Sequence, residues 1–369
     1  MKTSWLNEKY RKALSFLSWD IGVDLGSSNI LVYLKDKGVV VDEPSMISRQ
    51  KKKRWTGLSA PKSKILTPIA FGTKAKEMFN KEPVQIEVIS PIKNGIISDL
   101  EAVQDLISYY LKLIQEIPSK YPKILKSKVI VGVPSSINQV QKRAVKSIFL
   151  NAGAREVTLV EEAVLAAVGV GLPVHSSSGL IVVDIGGGKT EVSVISMGGV
   201  VVGKGIKVAG IEFDLSIVNY IKMKYGLLIG QNSAEKIKIE IGNVWENSKN
   251  EGKTTIIRGR DLEKGLPKSI KITEAEIREA ISMDVSKIIK LVSAVLDEAP
   301  PELMDDILKK GIILVGNGAK IKGLDRLIEA ETKITTRVAD EAGLCVIRGC
   351  GELIQNHDLL GQIKLITRC

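Results

Sequence analysis

Two glycine-bearing segments carry the residue types that bind phosphate groups. One is Asp24-Leu-Gly-Ser-Ser-Asn29, and the other is Asp184-Ile-Gly-Gly-Gly-Lys-Thr-Glu191. Glycine allows a tight turn in which successive backbone N–H groups point inward, and hydroxyl and amide side chains add further donors. Three consecutive glycines also let the backbone approach a ligand where side chains would collide. Together, the two segments predict cradles for phosphate groups.

The first segment taken alone is more typical of an ordinary tight hairpin. Its recurrence about 160 residues later changes the interpretation, because both copies have the order strand, Asp, glycine turn, strand. The recurrence predicts two similar domains that hold one phosphate chain between their turns. Asp24 and Asp184 would reach a Mg²⁺ ion through water, since Mg²⁺ keeps several waters and uses few carboxylates.

Two further segments follow predicted strands and could complete a nucleotide site. Glu161-Glu162 stands where a strand passes into a helix. These acids could stabilise the helix N-terminus, or one of them could orient or deprotonate an attacking water, and both interpretations stay open. Val315-Gly-Asn-Gly-Ala319 is a glycine-rich turn after a strand, and it fits the side of a nucleotide pocket.

Alternating strand and helix patterns place these segments in an α/β architecture. The opening hairpin comprises 21–24 and 30–34, and its counterpart comprises 180–184 and 191–196. Glycine-rich strand exits favour a doubly wound arrangement, in which ligands lie at the carboxyl ends of strands. The other predicted strands are 129–133, 157–160 and 311–315, and the predicted helices are 100–117, 140–151, 161–170, 213–225, 233–241 and 273–296, the last opening on a capping box.

The composition predicts a globular chain with an aliphatic core. The 369 residues are 44% hydrophobic and 26% charged but only 4% aromatic, which excludes a disordered or collagen-like protein.

Three cysteines and two histidines have no zinc-ligand spacing, so a reducing compartment without bound zinc is expected. No apolar run reaches the ~20 residues that cross a bilayer, and no secretory signal is expected. A net charge of +11 favours an anionic partner.

The N-terminal segment predicts a membrane contact. Residues 3–17 have helical spacing, with a basic polar face and an apolar face of Leu6, Tyr10, Ala13, Leu14 and Leu17 beside Trp5. Such a helix suits an anionic interface, and docking against its own domain is the alternative. The basic run Lys51–Arg54 is typical of a solvated loop, and nucleic acid is not expected as a partner, because the run is short and has one neighbouring aromatic.

Several spaced motifs together resemble the MreB family of bacterial actins. They occur in the family's order from about Asp20 to Gly351, and segment 234–242 is especially close. The motifs are Asp24-Leu-Gly-Ser-Ser-Asn29, Pro91-Ile-Lys-Asn-Gly-Ile-Ile-Ser-Asp99, Val131-Gly-Val-Pro134, Asn151-Ala-Gly-Ala-Arg-Glu156, Asp184-Ile-Gly-Gly-Gly188, Gly265-Leu-Pro267, Ala299-Pro-Pro-Glu-Leu303 and Gly316-Asn-Gly318.

The resemblance implies an actin-like α/β fold, with ATP or ADP and Mg²⁺ in a cleft between two RNase H-like domains that each carry a small subdomain. It also implies antiparallel double protofilaments that govern cell shape at the cytoplasmic face of the cell membrane, with family paralogues as further partners. The implied division is an extension 1–19, subdomain IA (20–48, 95–174 and 342–363), IB (49–94), IIA (175–209 and 276–341) and IIB (210–275).

The same resemblance implies which residues form the sites. Glu162 matches the acid that positions the lytic water. The implied nucleotide contacts are Ser27, Ser28, Asn29, Gly186, Gly187, Gly188, Lys189, Glu235, Lys236, Ile237, Lys238, Gly316, Asn317, Gly318 and Ala319. The resemblance also implies membrane contacts at Ile124 and Leu125 in the apolar tip 121–125, whereas the contacts at Trp5, Leu6, Leu14 and Leu17 are predicted from the amphipathic pattern of the N-terminal segment.

Three positions depart from the family pattern. Lys189 stands where the family has a hydroxyl residue that helps Glu162 hold water. An ammonium can bind a γ-phosphate but cannot place the water, so we expect ATP binding with weak hydrolysis, as in a specialised isoform for helicity or motility. A Lys189 side chain in solvent is the alternative. Ala163 replaces a proline, which could loosen the helix start at Glu162, and Asn317 replaces a glycine on the adenine side, where Asn tolerates positive φ.

Three other functions use a similar cleft or fold. A sugar kinase would need a catalytic base facing a substrate pocket, and it usually has a longer chain. An Hsp70-type chaperone would need a substantial peptide-binding domain after Gly351. A plasmid-segregating actin would bind a DNA-bound adaptor rather than lipid.

Overall fold

The computed structural model describes residues 20–51, 67–117, 127–246 and 252–363. The predicted N-terminal helix, most of the basic loop and the apolar tip 121–125 lie outside these residues. No helix in the described ranges is long and apolar enough to cross a membrane.

The elements alternate between strands and helices along the chain. The first domain contains β1 Ile21–Leu25, β2 Asn29–Leu34, β3 Gly38–Pro44, β4 Ile47–Gln50, β5 Pro68–Phe71, α1 Gly72–Met78, β6 Ile86–Ile89, β7 Ile92–Lys93, β8 Ile96–Ile97, α2 Leu100–Glu116, β9 Lys128–Val133, α3 Gln139–Asn151, β10 Glu156–Glu161 and α4 Glu162–Gly169. The second contains β11 Leu180–Ile185, β12 Thr190–Ser196, β13 Gly199–Ile206, α5 Gly210–Tyr225, β14 Leu227–Leu228, α6 Gln231–Ile241, β15 Thr254–Asp261, β16 Pro267–Thr273, α7 Glu274–Leu296, α8 Pro301–Lys310, β17 Ile312–Val315, α9 Leu324–Thr332 and β18 Thr336–Val338. The chain then returns to the first domain through α10 Cys345–Gln355 and α11 His357–Gln362.

The two domains share one sheet topology. The strand orders are β10-β9-β1-β2-β3 and β18-β17-β11-β12-β13. In each sheet the first three strands in chain order are antiparallel neighbours, and the two later strands add in parallel. The repeated hairpin found in the sequence is therefore the start of two equivalent sheets, and the turn of each hairpin lies at the carboxyl end of its central strand.

Each domain also carries a small three-stranded sheet. The strand orders are β5-β4-β6 in the first domain and β14-β15-β16 in the second. The partly buried Arg49 side chain links the first small sheet to the large domain, because it pairs with Glu87 and Asp99 at 2.7 Å each. The exact limits of the four subdomains stay a prediction.

Helices α4 and α10 lie where the chain crosses between the domains, and they pack backbone against backbone. A Cβ atom at Gly169 would lie 1.9 Å from the carbonyl oxygen of Cys345, and one at Gly349 would lie 1.9 Å from that of Leu165. Both positions therefore require glycine. A shared apolar core surrounds these helices and includes side chains from both large sheets, such as Leu31 and Leu180.

Most predicted helices and strands are confirmed within three residues. Thr273 and Glu276 form the predicted capping box at the start of α7. The glycine-rich turn after β17 opens a 3₁₀ turn, Asn317–Lys320, rather than an α-helix, which begins only at Leu324. Asn317 does not use the positive φ that Asn tolerates, because the positive φ of this turn, +84°, belongs to Gly316.

Candidate nucleotide site

The two predicted phosphate turns face each other at the junction of the domains. A Cβ atom at Gly187 would lie 1.8 Å from Ser28 Oγ, and one at Gly188 would lie 2.9 Å from Ser27 Oγ. The turns therefore approach as closely as backbone allows. Ser45 holds the first turn, because its Oγ donates to the Gly26 carbonyl at 2.6 Å.

A third turn, which the sequence reasoning did not single out as a site element, joins the two. Asn94 and Gly95 form the tight turn between β7 and β8 with φ of 53° and 72°. The Gly95 N–H donates to Ser27 Oγ at 2.8 Å, and its Cα side faces the methylene stem of Lys189. An Asn-Gly pair between apolar residues is a strong hairpin signal, so this turn could have been found.

The side chain of Lys189 joins the domains at the same place. Its Nζ lies 2.7 Å from Glu162 Oε2 in the first domain and 2.7 Å from Glu191 Oε2 in the second. Glu191 Oε1 accepts a hydrogen bond from the Ser135 N–H at 3.0 Å. Since only 17% of the Lys189 side chain is exposed, the alternative that it points into solvent is wrong.

The charges of this cluster depend on each other. Burial would lower the pKa of Lys189, but Glu162 and Glu191 outweigh burial and raise it, so the ammonium is charged. Burial would raise the pKa of Glu191, and the Lys189 ammonium outweighs it, so this pKa is lowered. Burial raises the pKa of Glu162, and Lys189 opposes that rise only in part. Glu162 is thus already engaged by a cation.

Glu161 and Glu162 diverge where β10 passes into α4. Glu161 Oε2 accepts from the Val200 N–H of the second domain at 3.3 Å, whereas Glu162 faces Lys189. The helix still begins at Glu162 although Ala163 replaces the proline of the family.

Asp24 and Asp184 lie close to this cluster and fit a Mg²⁺ ion held through water. Burial and the neighbouring carboxylate of Glu162 raise the pKa of Asp24 well above its usual value and that of Asp184 to about 7. Four carboxyl groups therefore surround one ammonium, and a divalent cation would relieve their repulsion. Among the described residues no group of three or more metal-ligating side chains is arranged to hold a metal ion directly.

Helix α6 brings charged side chains beside the second phosphate turn. Lys238 Nζ lies 2.7 Å from Asp214 Oδ1 and donates to the Gly210 carbonyl at 2.8 Å. Burial raises the pKa of Asp214 to about 6, and Lys238 opposes the rise. Glu235 and Lys238 keep partly exposed side chains and Lys236 an exposed one, whereas Ile237 is 5% exposed and belongs to the domain core. The predicted contact of Ile237 can therefore come only from its backbone.

Of the remaining predicted contact residues, some lie against the second strand exit, and others are buried or hydrogen-bonded elsewhere. A Cβ atom at Gly316 would lie 2.5 Å from Asp184 Oδ1, so this turn lies directly against the second strand exit. Gly318 packs equally closely on Ile185, and Ala319 is fully buried. The Asn29 side chain is engaged outside the cleft floor, because its Nδ2 donates to Asp42 Oδ1 at 2.7 Å.

Two domains of identical sheet topology, with their hairpin turns facing across one cleft, define an actin-like protein. The family described as MreB/Mbl protein matches residues 18–362. This chain belongs to that family, which decides against the kinase, chaperone and plasmid-segregation alternatives.

Relatives of known name cover nearly the whole chain. The cell shape-determining protein MreB of Escherichia coli strain K12 is 38% identical over 351 residues, which are 95% of this chain and 97% of that protein. The cell shape-determining protein Mbl of Bacillus subtilis strain 168 is 37% identical over 346 residues, which are 94% and 98% of the two chains.

Solved structures agree with the fold. MreB5 of Spiroplasma citri bound to ADP superposes with a TM-score of 0.83 at 34% identity, covering 91% of this chain and 96% of MreB5. The MamK double helical filament gives a TM-score of 0.74 at 19% identity, covering 92% and 99% of the two chains. At that identity MamK supports the fold alone.

Proposed function

We propose that this chain binds ATP and Mg²⁺, hydrolyses ATP weakly and assembles into filaments at the cytoplasmic face of the cell membrane. The observation that carries nucleotide binding is the close approach of the two glycine turns, because turns of this kind form concavities that bind anions through backbone N–H groups. MreB5 of Spiroplasma citri has been crystallised with ADP and with AMPPNP, and this supports adenine-nucleotide binding.

Each group at the cleft floor has a separate task. Ser27, Ser28 and the Gly187–Gly188 backbone would donate to the phosphate oxygens, since the Gly186 N–H already donates to the Lys189 carbonyl at 3.0 Å. Asp24 and Asp184 would hold the waters of the ion. Mg²⁺, when bound, neutralises charge on the phosphates. Glu162, whose carboxylate lies beside Lys189 of the second turn, would orient the water at the end of the phosphate chain.

Weak hydrolysis follows from the pairing of Glu162. Its carboxylate is held at 2.7 Å by the Lys189 ammonium, and position 189 offers no hydroxyl to share the water. Because water placement and preorganised charge carry phosphoryl transfer, binding should survive while turnover falls. Such a chain would hold filaments in the triphosphate state for longer, as a specialised isoform working beside family paralogues.

Filament formation by this chain is tested by sedimentation with ATP, AMPPNP, ADP or no nucleotide, followed by electron microscopy of the pellets. We expect pelleted filaments, seen as paired antiparallel protofilaments, with ATP and AMPPNP. Equal pellets with and without nucleotide, or pellets without filaments, contradict the proposal.

A further inference from the structure

A second ion pair joins the domains away from the cleft floor. Lys76 Nζ in α1 lies 2.8 Å from Glu235 Oε2 in α6, although the residues are 159 positions apart. Helix α1 packs on β4 and β5 of the first small sheet, and α6 packs on α5 and β15 of the second domain. The pair therefore bridges the two small sheets.

Glu235 places a carboxylate on the helix that lies beside the second phosphate turn. It stands on α6 one turn before Lys238, which lies beside the second phosphate turn. A carboxylate repels phosphate oxygens and accepts hydrogen bonds from hydroxyl groups. Since Lys76 engages Oε2, Oε1 is left to accept from the sugar hydroxyls of a nucleotide whose phosphates lie between the turns.

We propose that Lys76 is a positioning residue for the ribose of the bound nucleotide, supplied by the opposite domain. It fixes the carboxylate of Glu235 when the cleft is closed, and the pair must break before the nucleotide leaves. This inference rests on the proposed nucleotide binding and adds to it a residue of the opposite domain that holds Glu235 and slows the release of the nucleotide.

The exposure of the two side chains determines how strongly the Lys76–Glu235 pair can act on nucleotide binding and release. The side chains of Lys76 and Glu235 are 39% and 35% exposed, and exposed pairs change equilibria by about two- to fivefold. Salt screens such pairs, so the contribution should shrink as ionic strength rises. A cross-domain pair acts mainly on the rate of opening, and the change should appear in dissociation.

The test uses the full chain and three variants on one helix. Lys76→Met removes the charge, Lys76→Arg restores it, and Lys74→Met changes an exposed lysine of α1 as the control. The dissociation rate of a fluorescent ATP analogue, modified on the base, is measured by chase at low and high salt. Affinities for ATP, 2′-deoxy-ATP and 3′-deoxy-ATP are measured by competition.

We expect Lys76→Met to speed dissociation of the nucleotide about two- to fivefold at low salt and to reduce discrimination against the deoxy analogues. Lys76→Arg should restore the parent's behaviour in both measurements, and Lys74→Met should change neither. A purely structural role would not change the discrimination. Suppose that the parent binds nucleotide. If Lys76→Met then releases it at the parent rate, or discriminates against the deoxy analogues as the parent does, this inference alone is overturned. A parent that binds no nucleotide overturns the proposed function as well.

Discussion

Lys189 changes the chemistry of the cleft through its two partners rather than through its own charge alone. Its departure from the family pattern was visible in the sequence, and so was Glu162. The pairing with Glu191 was not foreseen, although residues two apart on a strand share a face and Glu191 is the second residue of β12. What sequence could not supply is the distance from Glu162, because that contact joins two domains.

Replacing Lys189 by Thr should restore hydrolysis, because it frees the Glu162 carboxylate and adds a hydroxyl for the water. We expect phosphate release to rise by about tenfold or more. Lys189→Met is the matched control, since it frees Glu162 without adding the hydroxyl, and its rate should stay nearer the parent. Phosphate release is measured at saturating ATP.

Both variants leave buried acids without their cation, which costs about 3–5 kcal/mol when a partner is removed. Rates are therefore compared well below the melting temperature of each variant. If Lys189→Thr releases phosphate at the parent rate while remaining folded, the explanation of weak turnover is wrong.

At the scale of elements, short-range patterns predicted the strands and helices, while long-range pairing had to come from the structure. The hairpins β1–β2 and β11–β12 were predictable because apolar runs flank glycine turns. Not every strand of the small sheets was predicted, because strands such as β4 and β14 have only four and two residues, too few for a clear alternation. Their pairing depends on contacts distant in sequence.

The two facing turns make a prediction about Gly187. An alanine there would place its Cβ 1.8 Å from Ser28 Oγ and 2.6 Å from Ser28 Cβ, so the turns must separate. We expect ATP affinity to fall by about 1–3 kcal/mol. Binding is measured by calorimetry or by a fluorescent analogue.

Gly186→Ala is the matched control, because the nearest atom to its Cβ would be the Lys189 carbonyl oxygen at 3.4 Å. Neither glycine has positive φ, so both variants keep an ordinary backbone. Equal affinities in the two variants would mean that the approach of the turns does not determine nucleotide binding.

At the scale of the molecule, ion pairs connect the domains at different places. The Lys189–Glu162 pair lies at the floor of the cleft, and the Lys76–Glu235 pair lies between the two small sheets. The two-domain plan was predictable from the repeated hairpin and from the family resemblance, whereas these bridges were not, since no local pattern marks them. Closure of the cleft should therefore respond to nucleotide and to salt together.

The net charge of +11 and the amphipathic pattern of residues 3–17 make a prediction about membranes. Basic residues near an anionic bilayer add about 1 kcal/mol each, and the apolar face adds burial. The full chain should float with anionic vesicles and less with neutral ones, and removal of residues 1–18 should abolish most of this binding. Flotation is the right measurement, because filaments sediment without lipid. Equal flotation of the two chains would remove this segment from the membrane contact and leave the rest of the chain, including the tip 121–125, to supply it.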